Sequence, residues 1–162
     1  MVKAAMENKG SEIGITSRRQ TCLALGLLLM GLGGASPADP LMTYPLSIRG
    51  KALRVELADS PETRRTGLMN RRRMADDQGM LFIFDSPSPQ AMWMKNTYLP
   101  LSVAFVDAQG RIVNIEDMEP HTEDAHASTG PVLYAIEMNR GWFARRGIRA
   151  GDKVEGLKAF KR

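Results

Sequence analysis

Gly79-Met80-Leu81-Phe82-Ile83-Phe84, closed by Asp85-Ser86-Pro87, is an uncharged apolar run with glycine at one end and a turn signal at the other. Such a run reads as a strand buried on both faces. Working outward, Leu53, Val55 and Leu57 alternate with Arg54 and Glu56, the mark of a half-buried strand. Downstream, Val132, Tyr134 and Ile136 alternate with Leu133, Ala135 and Glu137, which predicts a further strand over residues 132–138.

Between these segments the punctuation is that of an all-β domain. Ser60-Pro61-Glu62 offers a helix cap, a proline suited to the first turn and an acid near the positive helix end, so a short helix is expected to about Leu68. Residues 92–97 and 101–107 read as strands, Asp107-Ala108-Gln109-Gly110 as a hairpin turn, and residues 111–116 as the returning strand. Residues 117–131 are acidic and contain proline, as a loop would be. A turn through Gly141-Trp142-Phe143 and Gly147 leads to a last strand near residues 153–157. Many short strands with one or two short helices predict a mainly β fold, an antiparallel β-sandwich or a partly closed barrel of jelly-roll character.

At 162 residues the chain supports one sizeable core. Residues 1–38 lie outside it. Arg18-Arg19 precede an apolar stretch from Cys22 to Ala35, and Ser36-Pro37-Ala38 supplies the small residues a signal peptidase reads. The expectation is an export signal cut after Ala38, either of twin-arginine type or by the Sec route. The apolar run is shorter than the ~20 residues a spanning helix needs, so the membrane is involved only if the leader stays uncleaved. A periplasmic or otherwise extracytoplasmic mature protein follows. Residues 39–50, without periodicity, are expected to form an arm, and residues 51–162 the single β domain.

Cys22 is the only cysteine, so cleavage leaves no thiol for catalysis, disulfides or metal binding. Half of the +4 formal charge also leaves with Lys3, Lys9, Arg18 and Arg19, set against Glu7 and Glu12. The basic balance therefore argues for no nucleic-acid partner.

Trp93-Met94-Lys95-Asn96-Thr97, read as a strand, places a cation and two polar side chains in an apolar run. Such groups need partners when buried. Lys95 can rest its stem on apolar surface and project its ammonium at the rim, or join Asn96 and Thr97 in meeting a carboxylate, phosphate or sugar hydroxyl. Glu137, on a strand face with Leu133 and Ala135, is its natural counter-ion. A Lys95–Glu137 pair would make Glu137→Gln destabilising or fatal to binding. Arg64, Arg65, Arg71, Arg72 and Arg73 have the pattern of a solvated face. His121 and His126, the only histidines, sit in an acidic loop that zinc would accept, but at a spacing that matches no finger or metalloprotease motif. Met92 and Met94 carry thioethers suited to Cu(I) and equally suited to filling a core; with Trp93 they read chiefly as core.

The ordered series Arg64, Gly67-Leu68-Met69, Arg71, Gly79-Met80-Leu81-Phe82, Trp93-Met94-Lys95-Asn96-Thr97, Pro100-Leu101, Phe105-Val106-Asp107, Gly110-Arg111, Glu137 and Gly151-Asp152 resembles the DUF192 (UPF0127) family of small exported domains. The resemblance spans residues 53–157 and implies a mainly antiparallel β domain, with no established reaction. It carries Arg71, Lys95, Asn96, Thr97 and Glu137 over as candidate binding residues. Two positions depart from the family pattern. Ser102 stands where an acid commonly follows the Pro-Leu pair, and Met92 replaces an aromatic residue. The expected function is a monomeric, cofactor-free binding module for a small polar or anionic ligand or an envelope partner. The alternatives are an envelope hydrolase or lyase using Glu137 and Lys95, and a structural interaction module.

Overall fold

The computed structural model describes residues 42–160, and the expected leader falls outside them. Strand β1 (Tyr44–Ile48) turns through Arg49 and Gly50 into β2 (Lys51–Ala58). Both turn residues have positive φ, 50° and 72°, as a tight two-residue hairpin requires. Residues 44–48, expected to lie in an N-terminal arm without periodicity, form a strand paired with β2. Leu46 and Ile48 are its buried side chains, too few for a periodic pattern to be visible in the sequence.

Helix α1 (Pro61–Thr66) is capped as the sequence predicts: Ser60 Oγ accepts the Thr63 N–H at 3.1 Å, and Thr63 Oγ1 accepts the Ser60 N–H at 3.0 Å. It carries the chain over to β3 (Gln78–Ser88), which runs parallel to β2. Then follow β4 (Ala91–Met92), β5 (Leu101–Val106), β6 (Ile112–Met118), β7 (His126–Ala127), β8 (Val132–Asn139), helix α2 (Trp142–Arg145) and β9 (Val154–Glu155). A 3-10 turn (Leu157–Phe160) ends the described chain.

Seven strands form one sheet in the order β6-β5-β8-β3-β2-β1-β9, and β4 pairs separately with β7. The sheet curls into a half-barrel, as expected from the sequence, and its two margins meet. A bridge joins Arg111 to Lys153, with the Val154 N–H donating to Gly110 O at 2.8 Å and the Ile112 N–H to Asp152 O at 2.9 Å. This short bridging shields only the neighbouring ends of the two edge strands, β6 and β9.

Alternation along the strands gives the sheet two apolar faces. The first gathers Ile48, Val55, Leu81, Val106, Ile136 and Trp142. The second gathers Met80, Phe82, Leu101, Val103, Phe105 and Met94. β8 lies in the middle of the sheet, so both of its faces are covered. Glu137 stands opposite Met80 on one side and Val103 on the other, which places its carboxyl on the second face among apolar neighbours.

Candidate functional site

What covers the second face around Glu137 is irregular chain from two places. After α1, Gly67 turns with φ 46° and Leu68 plugs the core. A Cβ at Gly67 would lie 3.2 Å from the Phe82 ring, a tight contact, and the positive φ itself favours glycine here. The second cover is the segment 93–97, which is not a strand. β4 stops at Met92, and the chain then turns: the Thr97 N–H donates to Met94 O at 3.1 Å and Asn96 adopts φ 54°. Asparagine tolerates that left-handed backbone better than most residues.

The turn reverses several sequence expectations. Met94 is buried, but Trp93 is 47% exposed and is not core. Asn96 shapes the backbone, its carbonyl accepting the Asn70 N–H at 2.9 Å and tying the two covers together. Thr97 is buried; its Oγ1 donates to Lys95 O at 3.1 Å, and its carbonyl accepts the His121 N–H at 3.2 Å. Lys95 points outward, its Nζ 3.6 Å from Glu123 Oε1 and 5.2 Å from the centre of the Trp93 ring. The expected Lys95–Glu137 pair does not form, because a turn sends alternate side chains to different environments than a strand would.

Arg71 is also committed. It forks onto Glu56 with two bonds of 2.5 Å, and this carboxylate holds the guanidinium pKa above its ordinary value. Glu56 lies on the same face as Glu137, one strand beyond Met80. Ser102 balances neither Arg71 nor Lys95, for it faces the opposite side. Its Oγ donates to Asp117 Oδ1 at 2.5 Å and accepts the Gly141 N–H at 2.8 Å. The histidines part ways: His121 packs edge-on against Tyr98 with ring centres 4.5 Å apart, and His126 lies in β7. Among the described residues no group of three or more His, Cys, Asp or Glu gathers.

That leaves Glu137. It is 4% exposed and has no hydrogen-bond or ion-pair partner among the described residues. Burial pushes its carboxyl up to about 8, and no neighbouring cation offsets the cost. It lines a pocket of about 90 Å³ together with Thr97, Trp93, Gly67 and Arg65. Adjoining it is an outer groove of about 380 Å³, which shares Arg64, Arg65, Phe82, Ala91 and Met92 with the pocket and adds Ser86 and Gln90. A larger cavity of about 410 Å³ beside Tyr134 is lined mainly by Ile83, Phe84, Leu133 and Phe160. The hydroxyl of Tyr134 is partnerless but cut off from solvent.

Below pH 8 the Glu137 carboxyl is chiefly a neutral acid that can donate and accept at once; above, it is a buried anion lacking a counter-ion. The pocket is legible in the sequence through Glu137 and Thr97. Arg65 and Trp93, assigned to a solvated face and to the core, are the lining residues that sequence reasoning did not mark.

A curled, seven-stranded half-barrel with two irregular covers over one buried acid defines a small β domain of a single type. The chain belongs to the DUF192 family, described as uncharacterized ACR, whose model matches residues 44–156. Two crystal structures are similar. One, from Sinorhizobium meliloti 1021 and described as a candidate transcription regulator, is 42% identical with a TM-score of 0.70, covering 75% of this chain and 98% of that one. The other, a protein of unknown function from Novosphingobium aromaticivorans DSM 12444, is 36% identical with a TM-score of 0.69, covering 74% and 89%. No curated protein matches.

Proposed function

We propose that this protein is an exported binding domain that takes a small polar ligand into the groove between α1 and β4, with Glu137 and Thr97 as the inner contacts. The observation that carries the reading is the partnerless Glu137 carboxyl on a solvent-reachable pocket. Leaving such a group unpaired costs about 1–3 kcal/mol or more, which a packed sheet would avoid by using an apolar residue unless the group served a purpose. Lys95, Asn96 and Arg71, expected at the binding rim, act here as cover and anchor: Asn96 fixes the turn, Arg71 holds Glu56, and Lys95 lies over Trp93.

Among the described residues no second acid, base or nucleophile hydrogen-bonds to Glu137, so the binding reading is the one argued. Arg64, Arg71, Arg140, Arg145 and Arg146 are each engaged by a carboxylate, which lessens the basic surface open to a nucleic acid. The extracytoplasmic location rests on the leader sequence of residues 17–38.

Amide NMR of the labelled domain against a panel of small amines, carboxylates, amides and polyols tests the site. Binding should shift the Gly67 and Thr97 amides, and a panel with no effect there would sink the reading. Cell fractionation with N-terminal sequencing tests export, the expected mature terminus being Asp39.

A further inference from the structure

We propose that the ligand is a small zwitterion, its cationic nitrogen taken by Glu137 at the bottom of the inner pocket and its anionic group met by Arg65 at the rim. This rests on the reading that the pocket binds a ligand at all. The charges around the pocket, taken element by element, leave these two side chains uncommitted.

On the strands flanking Glu137, Met80 of β3 and Val103 of β5 are apolar, and Glu56 of β2 is forked by Arg71. From the motif turn, Lys95 faces Glu123 and Trp93. From α1, Arg64 is engaged elsewhere: it donates to Asp59 O at 3.0 Å, to Ile83 O at 2.7 Å and to Asp85 Oδ2 at 3.1 Å. Arg65, the next residue, is exposed, has no partner among the described residues, and lines both the inner pocket and the outer groove.

A buried acid without a counter-ion on one side and a cation without a counter-ion at the mouth together describe a ligand of opposite polarity. An ammonium or guanidinium at Glu137 supplies the charge whose absence leaves burial unopposed. Trp93, half exposed, lines the same inner pocket. The two adjoining cavities suit a small molecule, with the polar Ser86 and Gln90 beside its outer part.

Such binding requires Glu137 to ionise, so one proton leaves as the ligand enters. Affinity should then rise about tenfold per pH unit up to the Glu137 pKa and level off beyond it.

Calorimetry at pH 6, 7 and 8 with 4-guanidinobutanoate, n-butylguanidinium, n-butylurea and pentanoate decides the matter. The expected result is that 4-guanidinobutanoate binds at least tenfold better than n-butylurea, more tightly at each higher pH, with proton release. Glu137→Gln, checked for folding by circular dichroism, should remove that gain. Arg65→Ala should bring 4-guanidinobutanoate down to the affinity of n-butylguanidinium, leaving the latter unchanged. Preference for pentanoate or n-butylurea, with flat or falling affinity as pH rises, would overturn the zwitterion while leaving the pocket a binding site. Silence from all four probes also overturns it, whereas the site itself falls only if the wider panel is silent as well.

Discussion

A carboxyl group held in a sheet without a partner makes the whole fold sensitive to pH. Glu137 titrates near 8 in the folded protein and near its ordinary 4.5 when unfolded, so the native state binds the extra proton between those values. Stability is therefore greatest below pH 4.5 from this group, falls as pH rises by up to about 1.4 kcal/mol per unit, and flattens above 8. Glu137→Gln keeps the shape and abolishes the charge. Urea unfolding at pH 5 and pH 8 should show the native protein losing stability across the interval and the variant losing much less; parallel losses would show that Glu137 is not the source. This is the opposite of what a Lys95–Glu137 pair predicts, since removing one member of a buried pair destabilises. The Arg71–Glu56 fork behaves as that pair would have. Arg71→Ala strands a mostly buried carboxylate and should cost about 2–4 kcal/mol in chemical denaturation, with Arg71→Lys recovering only part because the fork is lost. An unchanged midpoint for Arg71→Ala would mean that the fork is neutral to stability.

Between strands, the tightest seam is β3 on β8. A Cβ at Gly79 would collide with the carbonyl of Glu137 and with the sulfur of Met138, both on the partner strand. Gly79→Ala must push the two central strands apart, and a loss of about 2–4 kcal/mol is expected in thermal or urea unfolding. A change below about 0.5 kcal/mol would show that the seam yields easily. The elements in this seam were the most legible in the sequence, because β3 is buried on both faces and β8 alternates beside it, and burial is what hydrophobic patterns record. The α1 cap was legible for a different reason, its chemistry being local to Ser60 and Thr63. Residues 93–97 were misread because Met92, Met94 and Asn96 imitate strand periodicity, whereas the left-handed backbone of Asn96 leaves no pattern in its neighbours. β1 was missed because its strand character depends on pairing with β2 and β9, distant in sequence from the second of these. The binding pocket was half legible: Glu137 stood out as a charge in an apolar strand, but its lack of a partner is a tertiary fact.

Across the molecule, the two cores lie on opposite faces of one sheet and share β2, β3, β5 and β8. Neither face can lose its packing without uncovering strands that the other needs. The described domain should therefore unfold as one cooperative unit. The two tryptophans make this testable, for Trp142 is wholly buried in the first-face core whereas Trp93 is 47% exposed over the pocket on the second. Trp93→Phe removes a half-exposed ring and should leave the urea midpoint nearly unchanged, isolating Trp142 as a reporter of the first face. Its fluorescence should resist acrylamide quenching in the native state and change at the same urea concentration as the far-ultraviolet circular dichroism, which follows the entire sheet. If the Trp142 signal moved at lower urea than the circular dichroism, the first-face core would be melting under an intact sheet. The half-barrel, with margins stitched between Gly110 and Val154, would then be two weakly coupled layers.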